Sequence, residues 1–286
     1  MEVQDADRWD LNGKTAVITG AASGFGRELA LGCKAAGMRL VLADVDSAGL
    51  EQTLSLTGLS PGQALVQRCD VSKPDDVDRL ARTAQERFGG THLLFNNAGV
   101  IAAGPIWKAT PQDWTWVFGV NVIGVANGIR SFVPAMLERG EPAWVVNTAS
   151  VAGLVCPPDM AVYSASKHAV VAMSECLHHE LAQTGKPVGV SVLCPAYVDT
   201  GIADSAKHRP AELADANPEQ SPMMDRTRDA MRSGRLTAAD VARITLDAVL
   251  QRRFYVLPHR KAAVGVEHRL RDFLAGGAPN NPLKGV

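Results

Sequence analysis

Short β-rich runs alternate with longer amphipathic ones along almost the whole chain, and no other feature of the sequence narrows the fold as far. The runs TAVIT (15–19), RLVLA (39–43), ALVQRC (64–69), HLLFN (92–96), AWVVNTA (143–149), VGVSVLC (188–194) and RFYVL (253–257) read as strands. Several lack apolar/polar alternation, as strands covered on both faces do. Helical patterns lie between them, among them 25–36, 74–88, 114–139, 161–183 and 237–251. Ser72 and Thr237 each precede such a pattern with an acidic residue three positions on, Asp75 and Asp240, and read as helix caps. Strand and helix in repeated alternation give a parallel sheet with right-handed crossovers. The predicted class is therefore α/β: a doubly wound parallel β-sheet of about seven strands with helices on both faces.

The chain has 286 residues, no internal repeat and no low-complexity linker, so residues 1–286 read as a single domain. Residues 200–235 are too long for an ordinary connection and read as a functional or mobile lid. A C-terminal extension follows from about residue 260 to 286. In it RLRDFLAGG reads as a last helix and cap, followed by a polar Pro-rich tail of the kind that stays disordered.

Composition excludes several partners. A formal net charge of −1 gives no long-range attraction to nucleic acid or an anionic membrane. The N-terminal stretch is polar and acidic, unlike a signal peptide, and no apolar run approaches a membrane span, so the expected location is the cytoplasm. The five cysteines have neither Cys-x-x-Cys nor metal-ligand spacing, and read as small apolar residues in a reducing compartment. His178 and His179 are adjacent on a helical pattern, so their side chains diverge by about 100° and cannot share one ion. No metal site is expected.

Chemistry-bearing residues fall at strand ends. Gly20, Gly24 and Gly26 lie between the first strand and a helix, where glycines let backbone approach a pyrophosphate and the helix N-terminus offers free N–H groups. Asp44 ends the second strand and can accept both hydroxyls of an adenosine ribose. It would repel a 2′-phosphate, and neither Ser23 nor Val45 supplies a cation for one, which favours NAD(H) over NADP(H). CDVS (69–72) and NNAG (96–99) follow the third and fourth strands, although each taken alone is also ordinary turn chemistry. Tyr163 and Lys167 are four apart on a helical pattern and share one face. An ammonium beside a phenol lowers the phenol's pKa from about 10, which suits proton transfer near neutral pH. Ser150 ends the fifth strand, and Asn121 interrupts a mostly apolar helical segment, a costly place for an amide unless it is used.

TGAASGFG (19–26), NNAG, Ser150 and Tyr-x-x-x-Lys together resemble the short-chain dehydrogenase/reductase family, with the resemblance running from Leu11 to about Val256. It implies a Rossmann fold and an NAD(P)-dependent oxidoreductase that interconverts a secondary alcohol and a ketone. Asn121, Ser150, Tyr163 and Lys167 would be the catalytic tetrad, with Asn121 bending its helix and holding a water beside Lys167. Gly20, Ser23, Gly24, Phe25 and Gly26 would cradle the dinucleotide. Asp70 and Val71 would border the adenine, and Asn97, Ala98 and Gly99 the adenine ribose. Tyr163, Lys167, Pro195, Val198 and Thr200 would hold the nicotinamide end. Where the family has Pro-Gly, this chain has Pro195-Ala196. The family also implies a homodimer or homotetramer paired through 114–139 and 161–183.

For the substrate, Ser150 and Tyr163 would bind the reacting oxygen. Ile101, Trp107, Val151, Leu154, Met160 and Tyr197, with Ile202, Met223 and Met224 from the lid, form a largely apolar set. That set suits a hydrophobic or aromatic alcohol or ketone, or else packs core and lid. The Pro157-Pro158 turn reads as pocket wall. Lys207, His208 and Arg209 read as a solvated charge run or as partners for an acidic substrate. Two other functions fit parts of the pattern: an epimerase or dehydratase of the related extended branch, and a non-catalytic dinucleotide-sensing protein.

Overall fold

In a computed structural model, residues 9–214 and 220–283 are described, with backbone alone for 220–223. Seven strands form one parallel sheet: β1 (Thr15–Thr19), β2 (Arg39–Asp44), β3 (Ala64–Arg68), β4 (Leu93–Asn96), β5 (Ala143–Thr148), β6 (Val188–Leu193) and β7 (Tyr255–Val256). Their order is β3-β2-β1-β4-β5-β6-β7. Val17 pairs with Val41 on one side and Leu94 on the other. Strand order therefore reverses between β1 and β4, and a crevice opens at their carboxyl ends.

Nine α-helices surround the sheet among the described residues: α1 (Gly24–Ala35), α2 (Ser47–Thr57), α3 (Pro74–Phe88), α4 (Pro111–Phe118), α5 (Gly124–Arg139), α6 (Ala161–Thr184), α7 (Gln220–Arg232), α8 (Ala238–Leu250) and α9 (Ala262–Leu274). Alternate strand residues explain the two layers. Ala16, Ile18, Leu40 and Leu42 pack with Leu29 and Cys33 of α1 and Val241 and Val249 of α8. Val17, Val41 and Leu94 face the other way, onto Leu80 of α3, Phe132 and Met136 of α5, and Leu177 of α6. Both faces of β1 are buried, which is why its sequence is apolar without alternation.

Three expectations change. The helix predicted from residue 114 begins at Pro111, where Thr110 and Asp113 form a capping box, and it opens into a π-turn at Gly119–Ile123 before α5. Taken as one helix, Pro111–Arg139 is long and apolar enough to cross a membrane, contrary to the reading of apolar runs. In the fold, Phe132 and Met136 bury its apolar side on the sheet. Ser72 does not cap α3. Its hydroxyl donates to Asp70 Oδ1 at 2.6 Å, and the helix starts at Pro74, whose missing N–H costs nothing there. Thr237 does cap α8, in a box with Asp240. Among its described residues, the 200–235 stretch holds short 3₁₀ turns at Ile202–His208 and Ala211–Leu213 and the helix α7.

Candidate active site

The carboxyl ends of β1, β2, β4, β5 and β6 open into one cleft of about 1000 Å³. Gly20, Ser23, Gly24 and Phe25 line its first wall. Gly24 has φ +51°, and a Cβ there would sit 2.6 Å from the Thr200 carbonyl, so only glycine lets the two loops meet. Gly26 lies behind this wall as a buried first-turn residue of α1 rather than on its surface. Asp44 lines the cleft with its carboxylate fixed by backbone. Oδ2 accepts Ala22 N–H and Oδ1 accepts Asp46 N–H, both at 3.0 Å. Arg27 stays off this wall, donating to the Ala22 carbonyl and, at 3.0 Å, to Thr53 Oγ1.

Asp70, Val71, Asn97, Ala98 and Gly99 continue the lining. Ser72 holds Asp70 Oδ1 through its N–H at 3.0 Å as well as its hydroxyl. Asn97 donates through Nδ2 to the Thr19 carbonyl at 3.0 Å, and the Asn97 and Ala98 N–H groups both donate to Thr19 Oγ1. The end of β4 is thus tied to the end of β1 across the crevice.

Ser150, Tyr163 and Lys167 converge on the far half of the cleft. Ser150 leaves β5 in extended backbone. Its Oγ accepts Ala152 N–H at 3.1 Å and donates to the Pro195 carbonyl at 3.3 Å. The 3₁₀ turn Val151–Gly153 then lies directly on α6, because a Cβ on Gly153 would come within 2.6 Å of the Lys167 carbonyl. This contact brings the strand end to the helix. The Ser150 hydroxyl acts on the Tyr163 phenol to lower its pKa. Lys167 donates through Nζ to the Thr148 carbonyl at 2.8 Å and stands 5.7 Å from the Tyr163 ring centroid.

Asn121 is fully buried and does not reach the cleft surface. Its Oδ1 accepts Val100 N–H at 2.8 Å, and its Nδ2 donates to the Val100 carbonyl and to Ser166 Oγ, each at 3.0 Å. Ser166 in turn donates to the Tyr163 carbonyl at 2.7 Å. The amide therefore joins the loop after β4 to the helix that carries Tyr163. Ser166 was not singled out from the sequence. Its signal was a small polar residue three positions after Tyr163 on a helix that buries most of its first turns.

The electrostatics correct one expectation. Tyr163 was read as a phenol with a lowered pKa, yet burial pushes it up to about 12, with Ser150 pulling in the opposite direction. Burial pushes Lys167 down to about 8. Desolvation disfavours the charged form of each group and is the largest cause of both shifts. The protein alone therefore holds Tyr163 as a proton donor and Lys167 as a weakened cation.

Pro195, Val198 and Thr200 line the cleft after β6. So do Ile101, Val151, Pro157, Met160, Tyr197 and Ile202. Met224 packs against the Ile101, Met160 and Tyr163 cluster. Met223 lies outside the residues whose side chains are described. Two proposed wall residues are elsewhere. Trp107 is 81% exposed, and Leu154 packs on the Val170 and Val171 side of α6. Pro158 is exposed and off the wall. The charge run divides. Lys207 and His208 line the cleft, whereas Arg209 bonds Asp113 at 2.7 Å and stacks over Trp116. The C-terminal extension contributes His259, Lys261, Ala262, Gly265, Pro282 and Leu283 to the cleft. Pro282 and Leu283 of the tail are thus part of the wall. Among the described residues, no three His, Cys, Asp or Glu side chains gather as metal ligands.

Comparison with known proteins shows the family. Residues 14–211 match the short chain dehydrogenase family. The chain is 32% identical over 281 residues to a CLA biosynthesis dehydrogenase/reductase of Lactiplantibacillus plantarum, covering 95% of this chain and 96% of that protein. It is 34% identical over 264 residues to a 1-deoxy-11-beta-hydroxypentalenate dehydrogenase of Streptomyces exfoliatus, covering 92% and 87%. The crystal structure of a short chain dehydrogenase/reductase from Burkholderia phymatum in complex with NAD superposes with a TM-score of 0.93 at 48% identity, over 96% of this chain and 99% of that one. With a seven-stranded Rossmann sheet and the Ser-Tyr-Lys group at its carboxyl edge, this chain belongs to the short-chain dehydrogenase/reductase family of oxidoreductases.

Proposed function

We propose that the protein interconverts a secondary alcohol and a ketone, using NAD(H) as the redox partner and Tyr163 as the acid/base. The observation that carries this reading is a phenol, a serine hydroxyl and a lysine, all buried or half-buried, meeting on one wall of a cleft that also holds the glycine loop. The residues fit a dinucleotide. The Gly24 position admits no side chain, Asp44 presents a backbone-fixed carboxylate, and the neighbouring wall residues Ala22, Ser23, Val45 and Asp46 include no cation for a 2′-phosphate. Gly20, Ser23, Gly24, Phe25 and Thr200 would hold the phosphates. Asp44, Asp70, Val71 and Asn97 would hold the adenosine, and Lys167, Pro195 and Val198 the nicotinamide end. Bound there, the dinucleotide would supply the hydride acceptor for oxidation and the donor for reduction.

The chain's own residues do the rest. Ser150 Oγ and the Tyr163 hydroxyl bind the substrate oxygen; in reduction Tyr163 gives that oxygen its proton, and in oxidation the phenolate left when the Tyr163 proton has passed out by way of Lys167 takes the alcohol's proton. Lys167 raises the local positive potential at the phenol and gives the proton an exit. The Asn121 amide is spent on Val100 and Ser166, so a water beside Lys167 would rest on the Asn121 main-chain carbonyl, inside the π-turn. Ile101, Met160, Tyr197 and Ile202 give an apolar wall suited to a hydrophobic or aromatic substrate. The hydroxypentalenate named for the Streptomyces exfoliatus relative suits such a wall. We place the reaction in the reducing cytoplasm, in keeping with five unpaired cysteines, and expect a homodimer or homotetramer.

The test is NADH absorbance at 340 nm during incubation with NAD and a panel of hydrophobic secondary alcohols, and with NADH and the matching ketones. Turnover that Tyr163→Phe removes supports the reading. Tight NADH binding with no turnover of any member would assign the protein to dinucleotide sensing instead.

A further inference from the structure

Glycine inside an α-helix is unfavourable, because the unfolded chain gains freedom and the helix gains no side-chain packing. It is kept where a Cβ has no room. Six of the seven α-helical glycines among the described residues obey that rule. At Gly24, Gly26, Gly32, Gly49, Gly124 and Gly128 a Cβ would stand within 2.7 Å of a neighbouring atom. Gly265 of α9 is different. Within 4 Å a Cβ there would meet only Val155 Cγ1, at 3.7 Å, an ordinary contact. Its φ is not positive, so the backbone does not require glycine either. Gly265 lines the cleft, as does Val155. The fold thus has room for a side chain on the cleft wall, and the sequence supplies none.

Two contacts fix where this position stands. Arg269, one turn further along α9 and on the same face, donates through Nη1 to the Leu154 carbonyl at 3.0 Å. Leu154 and Val155 close the turn that leaves Ser150, since their N–H groups both donate to the Val151 carbonyl, at 2.8 and 3.0 Å. Ser150 and Gly265 are therefore two points on one wall, joined by a single turn of backbone and the Val155 side chain. Their Cα atoms are no more than about 18 Å apart. Val155, Pro157 and Leu283 give this end of the lining an apolar surface. A substrate whose reacting carbon rests against Ser150 and Tyr163 can lay an apolar group along it.

We propose that Gly265 is a specificity-determining residue: the side chain it lacks is the space taken, beside Val155, by the far apolar end of the substrate. This rests on the oxidoreductase reading above. It narrows the substrate to secondary alcohols or ketones that carry a bulky apolar group, on the order of a second ring, remote from the reacting carbon.

The experiment is steady-state kinetics with NAD and two probes that share a ring, cyclohexanol and 4-cyclohexylcyclohexanol, on the wild type, Gly265→Ala and Gly265→Leu. The alanine variant adds only a Cβ that already has room and should leave both probes within about threefold of wild type. Gly265→Leu should lower kcat/KM for 4-cyclohexylcyclohexanol by about ten- to a hundredfold, mainly through KM, and leave cyclohexanol within about twofold. Both variants should unfold at or above the wild-type Tm, because alanine and leucine favour a helix more than glycine does. Equal losses on the two probes, or no loss on either, overturn the proposal. A Tm below wild type overturns it as well, since the fold itself would then require glycine here, and so does wild-type turnover that excludes the two-ring probe. Absence of wild-type turnover on both probes and on the whole alcohol panel overturns the oxidoreductase reading, and this proposal with it.

Discussion

Lys167→Met should remove activity and, at neutral pH, stabilise the fold, and both effects come from one buried charge. Lys167 is 2% exposed, and its pKa is pushed from 10.5 to about 8. A shift of that size means that folding with the charged ammonium costs about 3 kcal/mol below pH 8. Between the folded and unfolded values the unfolded state binds more protons, so wild-type stability rises with pH through that window. By pH 9.5 the cost falls by about 2 kcal/mol. Methionine fills a similar volume and does not titrate. It gives up the bond to the Thr148 carbonyl, a loss of about 1–2 kcal/mol that does not vary with pH. The variant's advantage at pH 7 should therefore be about 1–2 kcal/mol, and it should shrink by about 2 kcal/mol on going to pH 9.5. Urea unfolding of both proteins at equal concentration, across that pH range, measures the difference, and titrating groups not coupled to Lys167 cancel. Parallel stability curves would refute the reasoning, because they would mean that Lys167 does not fold as a desolvated cation.

Two further outcomes follow from the same site. Asp44→Ala removes the carboxylate held by Ala22 and Asp46, and should lower kcat/KM with NAD ten- to a hundredfold while narrowing the preference over NADP, measured with both cofactors. Burial raises the pKa of Tyr163 to about 12, so its neutral form stabilises the fold up to about pH 10, and that contribution is lost as pH rises through 12. A spectrophotometric titration of the ligand-free protein at 295 nm should accordingly show no tyrosinate from this residue below pH 10. A phenolate appearing near pH 8 that Tyr163→Phe removes would contradict it.

The strands were legible because each is a compact apolar run closed by a turn signal, and burial on both faces leaves little else for such runs to do. Ser150, Tyr163 and Lys167 were legible through spacing, which survives into the structure because Gly153 lets the 3₁₀ turn lie directly on α6. Other features depend on contacts distant in sequence. The π-turn at Gly119–Ile123 surrounds an amide that bonds Val100 and Ser166, and no local pattern encodes those partners. Ser72 looked like a cap, but Pro74 at the helix start and the nearby Asp70 carboxylate gave its hydroxyl another role. The raised Tyr163 pKa reflects burial, which spacing between two residues does not report. Leu154 and Trp107 were chosen as apolar neighbours of the site in sequence, yet one packs on α6 and the other faces solvent. The cleft wall supplied by His259 and the C-terminal tail arises from a chain return that carries no motif.

Tyr163→Phe tests the central claim most directly, since it deletes one oxygen from a buried ring and leaves the packing against Ile101 and Met160 in place. Turnover of the best alcohol in the panel should fall by about a thousandfold or more, the scale of lost general acid/base catalysis. NADH affinity, measured by fluorescence, should stay within a few-fold of wild type. A kcat close to the wild-type value would show that another group moves the proton and would contradict the account.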